Sequence, residues 1–175
     1  RGKPWAYERA VKGIRYCKAA GLSISLRMTM TRHNMEDLDG IFEFVREEDI
    51  ERVCFYHLAY SGRGKGLQDD DLDEVDARWA IEKIATKTQG LFDGGQKVDV
   101  LTVANHCDGP YLYLRLKEED PERAEQVREL LEWNGGGTYS SGVGMADIDF
   151  TGNVHADQFW MDYSFGNVKD RPFSE

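Results

Sequence analysis

Side chains able to do chemistry collect at the ends of three predicted strands. Arg27 alternates with apolar residues in "SLRMTMT", Tyr56 and His57 end the apolar run "ERVCFYHL", and Asn105 and His106 directly follow "KVDVLTVA". The carboxyl ends of parallel strands meet at one edge of a sheet, where ligands bind in α/β proteins. These side chains are therefore the first candidates for a ligand site.

Arg27 poses the sharpest question of this set. Its guanidinium points to the strand face opposite Leu26 and Met28, and burying such a group without an anionic partner costs free energy. Two interpretations stay open. Arg27 either holds the carboxylate of a ligand or pairs with an internal Asp or Glu.

The other candidates each have a structural alternative. Tyr56 and His57 point to opposite faces, so at most one of them faces a ligand cavity, and a histidine at a strand end often only packs. The glycines around Arg63 in "SGRGKG" allow close approach to an anionic ligand, or they form a plain surface loop. Asn105 and His106 in "ANHCDG" belong either to a ligand-facing loop or to a structural turn.

Composition restricts the possible partners. The 175 residues carry 32 acidic and 22 basic side chains, and a net charge of −10 argues against nucleic acid. No apolar run approaches the roughly 18 residues of a membrane span, and no signal peptide is evident, so we predict a cytoplasmic protein without membrane association. Cys17, Cys54 and Cys107 are too dispersed for a disulfide framework or a recognisable metal site.

Hydrophobic periodicity predicts alternating helices and strands over the first 105 residues. The predicted order is a helix over 4–20, a strand over 22–31, a helix after Asn34, a strand over 51–58, a helix from about 75 to Gly94, and a strand over 97–104. Pro4 and Gly21 delimit the first helix, and Asn34 is the expected N-cap of the second. Connections too long for hairpins predict parallel strands joined by βαβ crossovers.

The pattern changes after Asn105. "PERAEQVRELLEWN" predicts a helix that starts at Pro121 and ends before the glycines at 135–137. "GVGMADIDFTGNVHADQFW" predicts a short hairpin turning at 151–153, with His155 and Asp157 on one half-exposed face. We therefore predict three regions, listed here as 1–105 for part of a barrel, 106–135 for a linker and helix, and 136–175 for the start of a smaller, incomplete subdomain.

Several longer segments resemble one enzyme family. They are "RGKPWAYERAVKGIRYCKAAGLSISLRMTMTRHNMEDLDGIF", "ERVCFYHLAYSGRGKG", "ANHCDG", "SSGVGMADIDFTGNVHADQFW" and "YSFGNVKDRPFSE". Together they look like radical SAM enzymes of heme d1 biosynthesis, and radical SAM enzymes of the alternative heme pathway are similar. The resemblance implies an α/β fold in which a partial (β/α) radical SAM barrel with parallel strands precedes a SPASM- or twitch-like β-hairpin subdomain.

The resemblance also implies a function for the full-length protein. Enzymes of this kind bind a four-iron four-sulfur cluster through CxxxCxxC, take electrons from an external donor and cleave S-adenosylmethionine to a 5′-deoxyadenosyl radical. The implied substrate is a tetrapyrrole, and the implied reaction is removal of propionate side chains from didecarboxysiroheme. By the same resemblance Arg27, Thr29 and Tyr56 would contact S-adenosylmethionine, and His57 would line the tetrapyrrole cavity. Arg63 is a further candidate tetrapyrrole contact because of its charge, and Asn105 and His106 because they follow the third strand; no catalytic residue is assigned.

This chain departs from the family pattern at its cysteines. CxxxCxxC is absent, and Ser141 and Gln158 stand where SPASM hairpins place cysteines. We therefore predict an inactive fragment of the enzyme that binds neither cluster. The alternatives are another SPASM-type radical SAM enzyme, either a heme synthase or a peptide maturase, and a non-redox α/β module that binds a small anion through Arg27, His57 and Arg63.

Overall fold

The computed structural model describes residues 3, 5–135 and 141–174. It divides into two compact units. The first unit comprises Arg1–Leu58 and Asp70–Asn105, and the second comprises Ala59–Asp69 and His106–Glu175. Pro4 and the glycines at 136 and 137, which were assigned to helix ends, lie outside the described residues.

The first unit is a three-stranded sheet with helices. Its elements are α1 (Trp5–Ala19), β1 (Ser25–Thr29), α2 (Leu38–Glu47), β2 (Arg52–Tyr56), α3 (Glu74–Asp93) and β3 (Asp99–Val103). The strands run parallel in the order β1-β2-β3. The predicted α/β class and the predicted parallel strands are therefore confirmed.

The core of the first unit lies against one face of the central strand β2. Phe55 is fully buried, and its ring stacks on Phe42 of α2 with centroids 5.5 Å apart. Val53, on the same face, is also fully buried, and Val45 of α2 and Ile84 of α3 complete this apolar layer. Apolar burial therefore fixes one face of the sheet against the helices.

Helix α3 begins and ends as its sequence indicates. The Asp73 carboxylate accepts hydrogen bonds from the backbone N–H groups of Val75 and Asp76, and Gly95 at φ +82° follows the last turn. The apolar spacing of Val75, Trp79, Ile81 and Ile84 predicts one buried face, and Ile81 and Ile84 are indeed buried, together with Ala80 and Leu91. Val75 and Trp79 are exposed, so the buried stripe does not extend into the first turns of the helix.

The second unit contains a helix that the sequence analysis missed. Its longer elements are α4 (Asp108–Glu119) and α5 (Pro121–Trp133). The Gly109-Pro110 pair looks like a turn, but proline is compatible with the first turn of a helix, where its missing N–H has no intrahelical acceptor. A Cβ on Gly109 would lie 2.6 Å from Cδ2 of Leu131, so the glycine allows α4 to pack closely on α5.

The predicted hairpin is confirmed, although its strands are very short. β4 (Asp147–Ile148) pairs antiparallel with β5 (Val154–His155), and the turn at 151–153 joins them. Within the described ranges, no helix is both long and apolar enough to cross a membrane.

Candidate functional site

The register of β1 and β2 brings three of the predicted site residues to one face of the sheet. Arg27 is opposite Cys54, and Thr29 is opposite Tyr56. Because side chains two positions apart share a face, Arg27, Thr29 and Tyr56 all lie on the face away from Val53 and Phe55. The guanidinium carbon of Arg27 is 5.9 Å from the centre of the Tyr56 ring, a cation–π contact.

This face of the sheet is open apart from Cys54, whose side chain is buried. Arg27 and Thr29 are exposed, Tyr56 is half-buried, and Leu101 of β3 exposes 42% of its surface. On the opposite face, Val53 and Phe55 are fully buried. The sheet thus presents an arginine and a tyrosine on its open side, with their backbones held by a packed core.

The contacts of Arg27 bear on the two interpretations of its role. Among the described residues no carboxylate lies within ion-pair distance of Arg27. Its guanidinium instead contacts the Tyr56 ring. Arg52 on the same face pairs with its register neighbour Asp99 at 2.8 Å. A structural ion pair of Arg27 with an internal Asp or Glu is therefore not found in the described chain, and its guanidinium is available to an external anion.

Asn34 organises the end of β1 instead of capping the second helix. Its Oδ1 accepts a hydrogen bond from the Thr31 N–H at 2.8 Å, and its Nδ2 donates to the Thr29 carbonyl at 2.9 Å. A short 3-10 turn at Met35–Asp37 separates Asn34 from α2, and the Asn34 side chain makes no cap hydrogen bond there. The predicted N-cap was wrong, because the asparagine satisfies the backbone of the strand end beside the candidate site.

A second contact also fixes this strand end. The Nε2 atom of His33 lies 2.9 Å from Oδ1 of Asp70, and the Arg32 N–H donates to the Asp70 carbonyl at 3.0 Å. The carboxyl end of β1 was predicted to lie near a ligand site, but the hydrogen bonds by which Asn34 and His33 hold this strand end were not predicted. The contact of His33 spans 37 residues of chain, so no local pattern could have revealed it.

His57 and Asn105 follow the carboxyl ends of β2 and β3. The His57 N–H donates to the Val103 carbonyl at 2.9 Å and so extends the ladder beyond the strands. Ala104, between Val103 and Asn105, has φ +69°, an uncommon conformation for a residue with a Cβ. The half-buried side chains of His57 and Asn105 thus lie where the backbone leaves the sheet, and the backbone there is fixed by a hydrogen bond at His57 and by the conformation of Ala104. Their ligand roles stay predictions.

Arg63 and His106 belong to the second unit. Arg63 lies exposed in the 3-10 segment Gly62–Gly66, and His106 is exposed just before α4. In the "ANHCDG" segment, His106 and Cys107 form a turn, and Asp108, which is buried, already begins α4. The substrate roles predicted for Arg63 and His106 are likewise untested.

The described residues do not fit an iron–sulfur cluster. Within them no three His, Cys, Asp or Glu side chains come together as a metal site. Cys17 is half-buried, Cys54 is buried in β2 and Cys107 is exposed before α4. An iron–sulfur cluster needs several thiolates in one place, and the described part of this chain does not bring them together.

The second unit contains a polar network that the sequence analysis misread. His155 was expected on a half-exposed face with Asp157, but it is buried. Its Nδ1 lies 2.7 Å from the Tyr163 carbonyl and its Nε2 3.3 Å from Oδ2 of Asp149. The same Asp149 carboxylate accepts hydrogen bonds from Thr151 and Asn153 across the turn.

These contacts shift two ionisation equilibria. The hydrogen bond to the Tyr163 carbonyl, assisted by the Asp149 carboxylate, raises the pKa of His155 above its usual value. The Thr151 hydroxyl, the Asn153 N–H and His155 together hold the pKa of Asp149 well below its usual range. The spacing of Asp149, Thr151, Asn153 and His155 along "DFTGNVH" is the signal that could have identified this network.

Comparison with known proteins extends these observations. No protein-family model matches the chain. Over all 175 residues it is 47% identical to a protein of Methanosarcina barkeri named Fe-coproporphyrin III synthase, and it covers 43% of that relative. The whole chain is 34% identical to the pre-heme d1 synthase of Dinoroseobacter shibae, covering 43% of it, and 24% identical to the AdoMet-dependent heme synthase of Nitratidesulfovibrio vulgaris, covering 46%.

The chain thus spans less than half the length of these curated relatives, while the similarity extends over all of the chain. An identity of 47% over the whole chain goes well beyond a shared motif. The chain is homologous, from end to end, to radical SAM enzymes of the heme pathway, which confirms the resemblance seen in its sequence.

Proposed function

We propose that this chain is part of a radical SAM enzyme that modifies the side chains of a tetrapyrrole. Its first unit would be part of a (β/α) barrel, and its β4–β5 hairpin would belong to a SPASM- or twitch-like subdomain. The homology over the whole chain supports this assignment, since all three relatives are named for products of the heme pathway.

The exposure and contacts of Arg27 are the observation that supports a specific binding site for this function. An exposed guanidinium with no carboxylate partner in the described chain, positioned over a tyrosine ring, suits the carboxylate of S-adenosylmethionine. Arg27 would donate paired N–H bonds to that carboxylate, while the Tyr56 ring restricts the movement of the guanidinium. Thr29, exposed on the same face, offers a hydroxyl within the same site.

When bound, S-adenosylmethionine supplies a 5′-deoxyadenosyl radical to enzymes of this class. The contribution proposed for this chain is to bind and orient that molecule on the open sheet face. His57 and Asn105, at the ends of β2 and β3 in the first unit, would contact the tetrapyrrole. Arg63 and His106, in the second unit, are separate candidates for such contacts. An external electron donor is required for the reaction.

Two tetrapyrrole reactions are candidates. The sequence analysis predicted propionate removal from didecarboxysiroheme on the way to heme d1, in line with the relative named pre-heme d1 synthase. The higher identity, 47% against 34%, to the relative named Fe-coproporphyrin III synthase favours formation of Fe-coproporphyrin III. We therefore propose Fe-coproporphyrin III formation first and propionate removal second.

A product assay separates these reactions. The intact protein that contains this chain is reconstituted anaerobically with iron and sulfide and given reductant, S-adenosylmethionine and didecarboxysiroheme. Mass spectrometry should detect 5′-deoxyadenosine together with Fe-coproporphyrin III. Loss of propionates would select the second reaction, and a cluster-loaded protein that forms no 5′-deoxyadenosine would contradict the proposal.

The non-redox alternative makes a different prediction for the same protein. A module that only binds a small anion through Arg27, His57 and Arg63 would bind carboxylates without any dependence on reductant and would leave S-adenosylmethionine intact. Equal recovery of S-adenosylmethionine with and without reductant would favour that alternative over the enzyme.

A further inference from the structure

Three aromatic side chains form an exposed group in the second unit, which we call the aromatic platform: Trp160, Tyr163 and Phe165. The Trp160 and Tyr163 rings are nearly parallel, at 23°, with centroids 6.1 Å apart, and Phe165 meets Tyr163 edge-on at 5.1 Å. Each of the three exposes about half of its surface, between 48% and 54%. They are therefore in contact with one another without being buried.

The backbone under the aromatic platform is fixed at each ring. The Asp157 carboxylate accepts hydrogen bonds from the backbone of residues 159 and 160, at 2.7 and 2.8 Å. The Tyr163 carbonyl is bonded by buried His155, and the Phe165 N–H donates to the β5 backbone at 2.8 Å. Polar contacts therefore hold the backbone at all three rings.

Such an arrangement costs free energy unless something covers it. Contiguous exposed apolar surface on a soluble protein is a frequent mark of a binding site, and a backbone already held in place loses little entropy when a ligand binds. A flat conjugated ligand that covers an exposed ring face gains offset stacking in addition to the burial of apolar area. The platform thus suits a planar aromatic ligand.

A cation lies beside the aromatic platform. Nη2 of Arg171 donates to the Phe165 carbonyl at 2.9 Å, and its guanidinium packs against Gly166. Arg171, Phe165 and Phe173 line a shallow cavity of about 140 Å³. In the described chain Arg171 has no carboxylate partner, and a guanidinium has five N–H donors, so donors remain for an anionic group on a ligand.

We propose that the aromatic platform and Arg171 bind the tetrapyrrole itself, with the exposed Trp160 ring stacked on the macrocycle and Arg171 paired with one of its carboxylates. A planar ring system that carries carboxylates at its edge matches both the apolar surface and the cation beside it. This inference rests on the proposed function for the class of substrate. It adds a substrate contact surface to the residues His57, Arg63, Asn105 and His106.

Titration with iron(III) coproporphyrin III tests the stacking contact. The intact protein is titrated with this porphyrin and the Soret absorbance is followed for the parent and for Trp160→Ala. The dissociation constant of Trp160→Ala should rise about tenfold, because stacking and apolar contact are lost. Trp133→Ala, which removes a more exposed tryptophan of the same unit outside the platform, should stay within about twofold of the parent.

A second pair of variants tests the carboxylate contact. Arg171→Gln should also weaken coproporphyrin binding about tenfold, whereas Lys169→Gln, another exposed cation nearby, should change it less than about twofold. For the tetramethyl ester of the same porphyrin, which has no carboxylate, Arg171→Gln and the parent should bind alike. Circular dichroism of each variant verifies that the fold is retained.

The outcomes separate this inference from the proposed function. If the parent binds coproporphyrin but Trp160→Ala and Trp133→Ala bind it equally, the platform is not the site while the proposed function stands. If Trp160→Ala leaves iodide quenching of the ligand-free intact protein unchanged, a protein segment covers Trp160 and the inference is overturned. A parent that binds no tetrapyrrole at all would overturn the inference and the proposed function together.

Discussion

Different interactions stabilise the interior of each of the two units. In the first unit, Phe55, Val53 and the helix residues packed on them are buried, and three parallel strands pair in register. In the second unit, residues 141–174 bury little apolar surface, and the side chains of Asp149 and His155 bind the backbone of the turns. The stability of the first unit should therefore decrease most when buried side-chain volume is removed. The stability of the second unit should depend on side-chain hydrogen bonds and on pH.

The units nevertheless present similar chemistry on their surfaces. Each places an arginine without a carboxylate partner, in the described chain, next to an aromatic residue: Arg27 lies over Tyr56, and Arg171 is bonded to the backbone of Phe165. A guanidinium beside an aromatic ring binds a carboxylate while the ring contacts the apolar part of the ligand. Stabilisation differs between the units, whereas the ligand contacts proposed for them follow one pattern.

The largest effect is expected in the core of the first unit. Phe55→Ala removes a fully buried ring that stacks on Phe42, and should lower the free energy of unfolding by about 3 to 5 kcal/mol. Denaturant unfolding followed by circular dichroism measures this change. Leu101→Ala, on the open face of the same sheet, should cost much less; equal costs would show that both faces are packed alike.

A smaller effect, dependent on pH, is expected in the second unit. His155 has a raised pKa in the folded state, so its contribution to stability is complete below its unfolded pKa of about 6.5 and is lost as pH rises through the higher folded value. Thermal unfolding across this window should show stability decreasing with rising pH. His155→Gln should remove this dependence, and exposed His106→Gln should not.

NMR titration provides the direct check of that prediction. The ring protons of His155 should titrate at a higher pH than those of an unfolded histidine peptide. A titration at or below the peptide value would mean that the Tyr163 carbonyl and the Asp149 carboxylate do not stabilise the charged ring.

A third effect is expected at the end of β1. Asn34→Ala removes hydrogen bonds to the backbone of Thr29 and Thr31 and should cost about 1 to 2 kcal/mol of unfolding free energy. Asn34→Asp keeps the acceptor for the Thr31 N–H and should lose about half as much. If both variants are as stable as the parent, the strand end does not depend on this side chain.

The smallest effect on stability is expected at Arg27. Its side chain is exposed, and its recorded contact is a cation–π contact with Tyr56, so Arg27→Gln should change the free energy of unfolding by about 0.5 to 1 kcal/mol at most. Denaturant unfolding checks this value. If Arg27→Gln lowered the free energy of unfolding as much as Phe55→Ala does, Arg27 would have a structural role and not a ligand-binding one.

Local periodicity was sufficient for much of the fold. The strand alternation around Arg27 and the apolar run of β2 predicted both strands, and the long connections predicted that they are parallel. The Thr151–Asn153 turn predicted the hairpin. On the candidate site, the alternation correctly put Arg27 on the face opposite Leu26 and Met28.

The features that were missed depend on contacts between distant residues or on the choice between two local conformations. Asn34 could cap a helix or bond to the strand behind it, and only the packed strand end selects the second. Gly109-Pro110 suits a turn or a first helical turn, and the packing of α4 on α5 selects the helix. Burial of His155 depends on Asp149 and Tyr163, which its strand pattern does not include.

Binding of S-adenosylmethionine to Arg27 variants is the most direct test of the proposed function. Isothermal titration of the intact, cluster-reconstituted protein should show an affinity about tenfold weaker for Arg27→Gln, because a charged hydrogen bond to the ligand carboxylate is lost. Arg52→Gln, which alters an arginine of the same face that is already paired with Asp99, should bind like the parent. Unchanged affinity in Arg27→Gln, with the fold retained, would contradict the assignment of this sheet face as the S-adenosylmethionine site.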